Sequence, residues 1–274
     1  MKNNLQKYLE KQVLQFGANF KQVCRDSDAD AVHDMRVAVK RLRALEVLAG
    51  KVAQNQIDPE ASGELRHLFK LSGRIRDMQV QQQLLDLMAA KLNTSFGELA
   101  AYLKNSENKS ISKFSDFTGK HSDTDFTGNL VKEIERIFNT AADSDLTSGV
   151  KSVVAEIIET VRLMKTDQQQ EEYLHEIRRK LKQYNYLLSV YDKQSSDYPE
   201  LLSTLQHLEK ANNLLGEWHD LDVGREILLK FLVNKTGSSF TSYNRYMLLL
   251  ETIASEKLRL HLAIIELLEK ELGI

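Results

Sequence analysis

The chain has 274 residues, a formal net charge of −2 and a sequence pI near 6.4. Nucleic-acid-binding proteins are usually basic overall, so this balance argues against that class and leaves any anion binding to local clusters among the 37 lysines and arginines. A hydrophobic content of 42% argues against a disordered chain, and no apolar run is long enough for a transmembrane helix. A single cysteine, Cys24, excludes an internal disulfide, and we expect a cytoplasmic protein that does not enter a membrane.

Apolar residues recur at spacings of three and four along most of the chain, a pattern that predicts helices and no sheet. Polar residues gather at the breaks between these helices, and Ser27-Asp28 is one such break. The longest polar stretch, Asn105 to Asp125, is the best candidate for a domain boundary. The predicted helices lie near residues 4–24, 29–53, 60–91, 128–141, 147–166, 170–192, 200–233 and 240–272, with a weaker candidate at 92–106.

The predicted helix at 29–53 has a basic stripe. At about 100° per residue, His33, Arg36, Lys40 and Arg43 fall on one narrow line that borders the apolar face. Arg41 lies on the flank of this line. Such a stripe would place several cations along a chain of negative charges. Arginine would supply a planar fork for two phosphate oxygens, and lysine a point charge.

The next predicted helix contains a second basic segment. Arg66, Lys70, Arg74 and Arg76 follow one another without an acidic residue between them. Together with His67, Lys70 and Arg74 repeat the i, i+3, i+7 spacing of the first stripe. This segment therefore predicts further anion-binding side chains.

The first stripe recurs about 140 residues later in the chain. A single basic helix face is usually only a solvated surface, so the repetition is what favours a binding site. Arg179 flanks the second copy. The repeated residues are His33, Arg36 and Lys40 in the first copy and His175, Arg178 and Lys182 in the second.

Two further blocks repeat in the same order. This order predicts two homologous helical halves, at residues 1–115 and 125–274, within one unit that spans 1–274. Each half would contain about four helices. The matched residues are Pro59-Glu60 with Pro199-Glu200, and Gly73, Asp77 and Val80 with Gly216, Asp220 and Val223.

The second copy is less basic than the first. Gln183 stands in the place of Arg41, and Asn185 in the place of Arg43. Glu217 interrupts the second basic segment there, and His219 takes the place of Arg76. The share of the second half in any site is therefore left open.

The sequence contains no recognisable catalytic or metal-binding motif. It has no phosphate-binding glycine loop, no nucleophile elbow and no histidine or cysteine pattern typical of zinc. Asp77 and Asp220 are expected to pair with nearby basic groups or to cap helices, and Trp218 to lie in the core. We therefore predict a protein that is not an enzyme and needs no metal or cofactor.

Four segments together resemble one known family. The segment VHDMRVAVKRLRALEVL at 32–48 resembles the signature helix of CHAD domains, the conserved-histidine α-helical domains. The later elements of that family resemble three more segments, in the correct order. These are SGRIRDMQV at 72–80, LHEIRRKLKQYNYLL at 174–188 and LLGEWHDLDV at 214–223. The likeness extends over most of the chain, from about residue 5 to residue 270.

The resemblance implies an all-α fold of two pseudosymmetric four-helix bundles from an internal duplication, around a basic central groove or pore. It also implies binding of inorganic polyphosphate without turnover, by a stand-alone member of the family. Nine site residues follow from the resemblance, and His219 takes the place of Arg76. Helical geometry and local charge add Arg66, Lys70, Arg74 and Arg179. The nine are His33, Arg36, Lys40, Arg41, Arg43, Arg76, His175, Arg178 and Lys182.

Some positions depart from the family pattern. Ser72 replaces the usual leucine, Gln79 the usual aspartate and Asn185 the usual arginine.

Two other functions remain open: a helical scaffold for nucleic acid or a protein, and, with less support, a metal-dependent phosphohydrolase. If the protein binds polyphosphate, we expect it in the cytoplasm, at polyphosphate granules or together with polyphosphate-associated proteins.

Overall fold

The structure is a computed structural model that describes residues 1–54, 57–163, 171–188, 199–235 and 243–272. These residues form nine α-helices, one 3-10 turn and no strand, which confirms the all-α prediction. The helices are α1 (Lys2–Asp26), α2 (Ala29–Val52), α3 (Gly63–Lys91), α4 (Gly97–Thr118), α5 (Asp123–Thr140), α6 (Asp143–Leu163), α7 (Glu171–Leu188), α8 (Pro199–Lys235) and α9 (Tyr243–Leu272).

The predicted break between the first two helices is confirmed. Ser27 ends α1 in the left-handed conformation with a φ of 53°. The Asp28 carboxylate then accepts hydrogen bonds from the backbone N–H groups of Asp30 and Ala31, which lack partners within the helix. This cap fixes the start of α2, and with it the register of the first basic stripe.

The helix with the second basic segment begins at a 3-10 turn, Pro59–Ser62. The Asp58 side chain caps this turn by accepting from the Glu60 N–H group at 2.9 Å. The helix α3 then continues without interruption through Gly73, close to the predicted range of 60–91.

The weaker candidate at 92–106 is a helix, but its predicted bounds were wrong, because α4 begins at Gly97 and continues to Thr118. The break predicted from Asn105 was therefore wrong as far as Thr118. The stretch is rich in serine, but Leu103 and Phe114 are buried on its inner side. Serine hydroxyls in this stretch donate to carbonyls four residues earlier, and this satisfies them within the helix. The division of the chain near this stretch stays a prediction.

The start of α5 was also predicted too late. The helix begins at Asp123 and not near residue 128. Ser122 and Asp125 form a capping box, in which each side chain meets the other residue's backbone N–H group. Gly128 therefore lies inside the helix.

The second helix is central to the packing. It lies along α1 and also contacts α3, α5, α6 and α7. Burying one large apolar side chain contributes about 1.5–3 kcal/mol to the stability of the fold, so the several buried side chains of α2 fix its position in the core. Its basic stripe borders the same buried face. The buried residues of α2 include Val32, Met35, Val39, Leu42 and Leu45.

Contacts between α2 and α7 and between α3 and α8 join the helices that carry the repeated sequence blocks. At the second of these contacts, the Gln81 side chain donates to the Asp220 carbonyl at 2.7 Å. The grouping into two four-helix bundles around a basic groove stays a prediction. Among the described residues, no helix combines the length and apolar character that crossing a membrane requires.

Candidate functional site

The contact between α2 and α7 brings the cations of the two sequence repeats together. Arg36 and Lys40 come from α2, and Arg178 and Lys182 from α7; we call these four residues the four-cation cluster. Burial lowers the pKa of Lys40 to about 7, with repulsion from Lys182, Arg36 and Arg178 as further causes. A lysine at this position therefore carries only part of its charge at neutral pH in the free protein.

The pKa values of the other three cations in the cluster are also lowered. Burial, with repulsion from Arg178, lowers the pKa of Lys182 to about 8, although Asp220 acts in the opposite direction. Burial also lowers the pKa of Arg36 to about 10, and it lowers the pKa of Arg178 below its ordinary value. Both arginines stay charged at neutral pH, so they supply the fixed positive charge of the cluster.

Two aspartates face these cations, Asp77 from α3 and Asp220 from α8. Burial raises the pKa of both carboxyl groups, and Asp220 raises that of Asp77 further, while the nearby arginines lower both. Asp77 is nevertheless exposed to solvent, as expected in a site that is crowded but open to water. Neither carboxylate forms an ion pair with a described cation, so the expected pairing is electrostatic and without direct contact.

Arg36 is the cation with the most defined contacts. Its Nη1 donates to the Phe69 carbonyl at 2.6 Å and to the Ser72 hydroxyl at 3.2 Å. Its Cζ lies 4.1 Å from the centre of the Phe69 ring. The guanidinium also lies over Gly73, where a Cβ atom would come within 3.0 Å of Nη1. These contacts fix the first-half arginine against α3.

The Phe69 ring also faces two more cations of α2. The distances to the ring centre are 6.0 Å for Lys40 Nζ and 5.8 Å for Arg43 Cζ. Cations over an aromatic face are attracted by its quadrupole. Sequence reasoning missed Phe69, because one aromatic residue next to buried leucines resembles ordinary core.

The two repeated histidines have different surroundings. His33 is exposed on one side, but its partial burial and the charge of Arg76 lower the pKa of its imidazole below the ordinary value. The Nε2 atom of His175 lies 3.2 Å from an Asp222 carboxylate oxygen. The other Asp222 oxygen forms an ion pair with the buried Lys257 of α9. Nothing in the sequence pattern indicated Lys257 as a neighbour of the site.

The residue at one repeated position explains why His175 has a carboxylate partner and His33, among the described residues, does not. Gln79 occupies the first-half position that Asp222 holds in the second half, and its side chain donates to the Ser27 carbonyl instead. His219 stacks edge-on against His175 at 5.2 Å, and burial with the charge of Arg178 lowers its pKa to about 3. His219 can therefore offer a neutral hydrogen bond and no charge.

Three predicted ligands lie outside the cluster and have partners in their own half. Arg41 donates to two glutamines of α1. Arg66 pairs with Glu46 at 3.0 Å, and Arg179 with Glu176 one helical turn away. A polyanion would have to displace these partners.

The remaining predicted ligands divide into two groups. Arg76 belongs with the cluster, because its charge acts on His33 and Asp220. Lys70 and Arg74 are exposed on α3, and no described residue forms an ion pair with either one. Trp218 is buried, as expected for a core residue. Within the described ranges, no group of three or more histidine, cysteine or acidic side chains could hold a metal ion.

The overall fold matches a solved structure. The crystal structure of the CHAD domain from the plant Ricinus communis superposes with a TM-score of 0.74 at 15% sequence identity, over 100% of this chain and 91% of the plant chain. At this identity the likeness concerns the fold alone. No curated protein sequence matches the chain. The family model described as CHAD domain matches residues 7–229. The chain therefore belongs to the CHAD domain family.

Proposed function

We propose that this protein binds inorganic polyphosphate, without turning it over, at the four-cation cluster between α2 and α7. The main support is the convergence of repeated arginine and lysine side chains from both halves, without a direct ion pair to a described carboxylate. Clustered cations destabilise a folded protein unless an anion neutralises them. Membership of the CHAD family, which is related to polyphosphate binding in general, points to the same ligand class.

The chemistry of the cluster suits a long polyanion. Polyphosphate presents charge at regular intervals and has no sequence to be read, so cations at fixed helical spacings suffice. One phosphate would meet few of these cations, whereas a long chain can meet both halves at once and gain from multivalency. Because the protein has a net charge of −2, its remaining surface would discourage binding elsewhere.

A calorimetric titration with long-chain polyphosphate tests this proposal. We expect the paired variant Arg36→Glu, Arg178→Glu to bind at least about 100-fold more weakly, because two charge-assisted contacts become repulsive. The matched control is Arg136→Glu, Arg259→Glu. These two arginines are exposed on α5 and α9 and form i, i+3 ion pairs, so the control makes the same change in net charge away from the cluster.

The outcomes separate the competing functions. Strong binding by wild type and control, weak binding of pyrophosphate and a helical spectrum for the paired variant would support the proposal. Unchanged affinity in the paired variant would contradict it. Equal competition by single-stranded RNA would favour the nucleic-acid scaffold, and release of phosphate with magnesium or manganese would favour a phosphohydrolase.

A further inference from the structure

The Arg36 guanidinium is held along one edge by the backbone and side chains of α3. Both contacts use Nη1, which donates to the Phe69 carbonyl and to the Ser72 hydroxyl. The Ser72 hydroxyl in turn donates to the same carbonyl at 3.1 Å, so its lone pairs are left to accept from Arg36. Ser72 is fully buried, and water therefore does not compete for this arrangement.

Two other features restrict the same side chain. The Phe69 ring covers one face of the guanidinium at 4.1 Å. The absence of a side chain at Gly73 leaves the room that Nη1 occupies, because a Cβ there would lie only 3.0 Å away. One helical turn of α3 thus defines both the position and the plane of the Arg36 fork.

The opposite edge of the guanidinium stays available. Neither Nε nor Nη2 of Arg36 donates to a described residue, and neither is sealed from solvent. This edge presents two parallel N–H groups, the geometry that matches two oxygens of one phosphate. Arg36 can therefore accept a phosphate without giving up its contacts to α3.

The equivalent arginine of the second half has no such support. Leu215, a buried apolar residue, stands where Ser72 stands in the first half. Arg178 donates no hydrogen bond to a described residue, and its Nε is buried without a partner. To offer the same edge to a phosphate, Arg178 would have to rearrange.

We propose that Ser72, together with the Phe69 carbonyl, is a positioning residue that presets Arg36 for two-point contact with a phosphate group, so that the first half provides the prearranged end of the site. The inference rests on the proposed function. A side chain that is ordered before binding loses less conformational entropy on binding, which strengthens affinity without any new contact.

The variant Ser72→Ala tests this role, because it removes the hydroxyl and keeps every charge. We expect it to bind long-chain polyphosphate about three- to tenfold more weakly than wild type. Ser106→Ala is the matched control, since the Ser106 hydroxyl donates only to a carbonyl within α4. In an Arg36→Gln background, Ser72→Ala should cause no further loss, because Ser72 acts through Arg36.

A ligand-free measurement distinguishes failure of this inference from failure of the proposed function. Nitrogen-15 spectra of the arginine side chains should show slowed rotation of the Arg36 guanidinium in wild type, and faster rotation in Ser72→Ala. Wild-type affinity in Ser72→Ala, an equal loss in the Arg36→Gln background, or unchanged rotation would each overturn the inference. If wild type binds no polyphosphate, the proposed function fails, and the rotation rates still decide whether Ser72 positions Arg36.

Discussion

Lys40 shows how the site combines burial with like charge. Its ammonium group is surrounded by three other cations, and its pKa of about 7 is far below the ordinary value. The free protein therefore loses positive charge here as the pH rises through 7, and Lys182 follows near pH 8. An anion beside these groups favours their charged forms and raises both pKa values.

Binding of polyphosphate at pH 8 should consequently take up protons from the buffer. We expect an uptake of about one proton or more per site, mostly by Lys40 and Lys182. Titrations in two buffers with different ionisation enthalpies measure this number. The variant Lys40→Arg should reduce the uptake, and a binding enthalpy that is independent of the buffer would contradict the assignment.

The same lysine should make the free protein less stable. Its folded pKa lies below the unfolded value, so the penalty is fully present below about pH 7 and disappears as the pH approaches 10. Lys40→Met should therefore stabilise the protein by about 1–3 kcal/mol at pH 7, and by little near pH 10. Urea unfolding at the two pH values measures the difference. If Lys40→Met instead lowered the stability at pH 7, burial of the Lys40 ammonium group would not destabilise the protein.

At the scale of single helices, α2 and α3 form the best-defined part of the site. The sequence predicted both helices and the basic stripe on each, because helical spacing determines which side chains share a face. It could not predict that Arg36 turns to the Phe69 carbonyl, because that contact depends on how the two helices pack. Nor could it show that Arg66 is paired, since its partner Glu46 belongs to another helix.

The two matched glycines of the sequence repeat, Gly73 and Gly216, offer a direct comparison of α3 with α8. Gly73→Ala should favour the helix by up to about 1 kcal/mol through propensity, but its Cβ would meet Arg36 Nη1. We therefore expect polyphosphate affinity to fall by about three- to tenfold, as Arg36 moves off α3. At Gly216 a Cβ meets nothing within 4 Å, so Gly216→Ala should keep affinity and gain stability. Calorimetry and thermal unfolding of both variants check this, and equal effects on affinity would contradict the role of Gly73.

Across the whole molecule, the proposed site depends on the contact between α2 and α7. The internal repeat in the sequence indicated which residues correspond, and the contact of α2 with α7 brings the corresponding cations together. The charge composition could not indicate this cluster, because a net charge of −2 is a sum over all 37 basic and 39 acidic residues of the chain. The polar residues of α4 likewise concealed a helix, since hydrogen bonds within the helix satisfy their hydroxyls.

The proposed site, with cations from both α2 and α7, should bind polyphosphate with an affinity that falls steeply as the salt concentration rises. By analogy with nucleic acids, each cation that neutralises a phosphate contributes about 0.7–0.9 to the slope of log affinity against log salt concentration. Arg178→Gln should lower that slope by about this amount, and Arg259→Gln, on the exposed face of α9, should leave it unchanged. Affinities measured over a range of salt concentrations test both expectations. An unchanged slope in Arg178→Gln would exclude this arginine as a phosphate contact.

The ion pair between Lys257 and Asp222 has a consequence for how the protein is made. Asp222 lies on α8 beside His175 of α7, but its buried cation belongs to α9, which leaves the ribosome after both. A buried carboxylate without its lysine is strongly unfavourable. In chains that are still being translated, α7 and α8 should therefore reach their final arrangement only after α9 has been made and has docked.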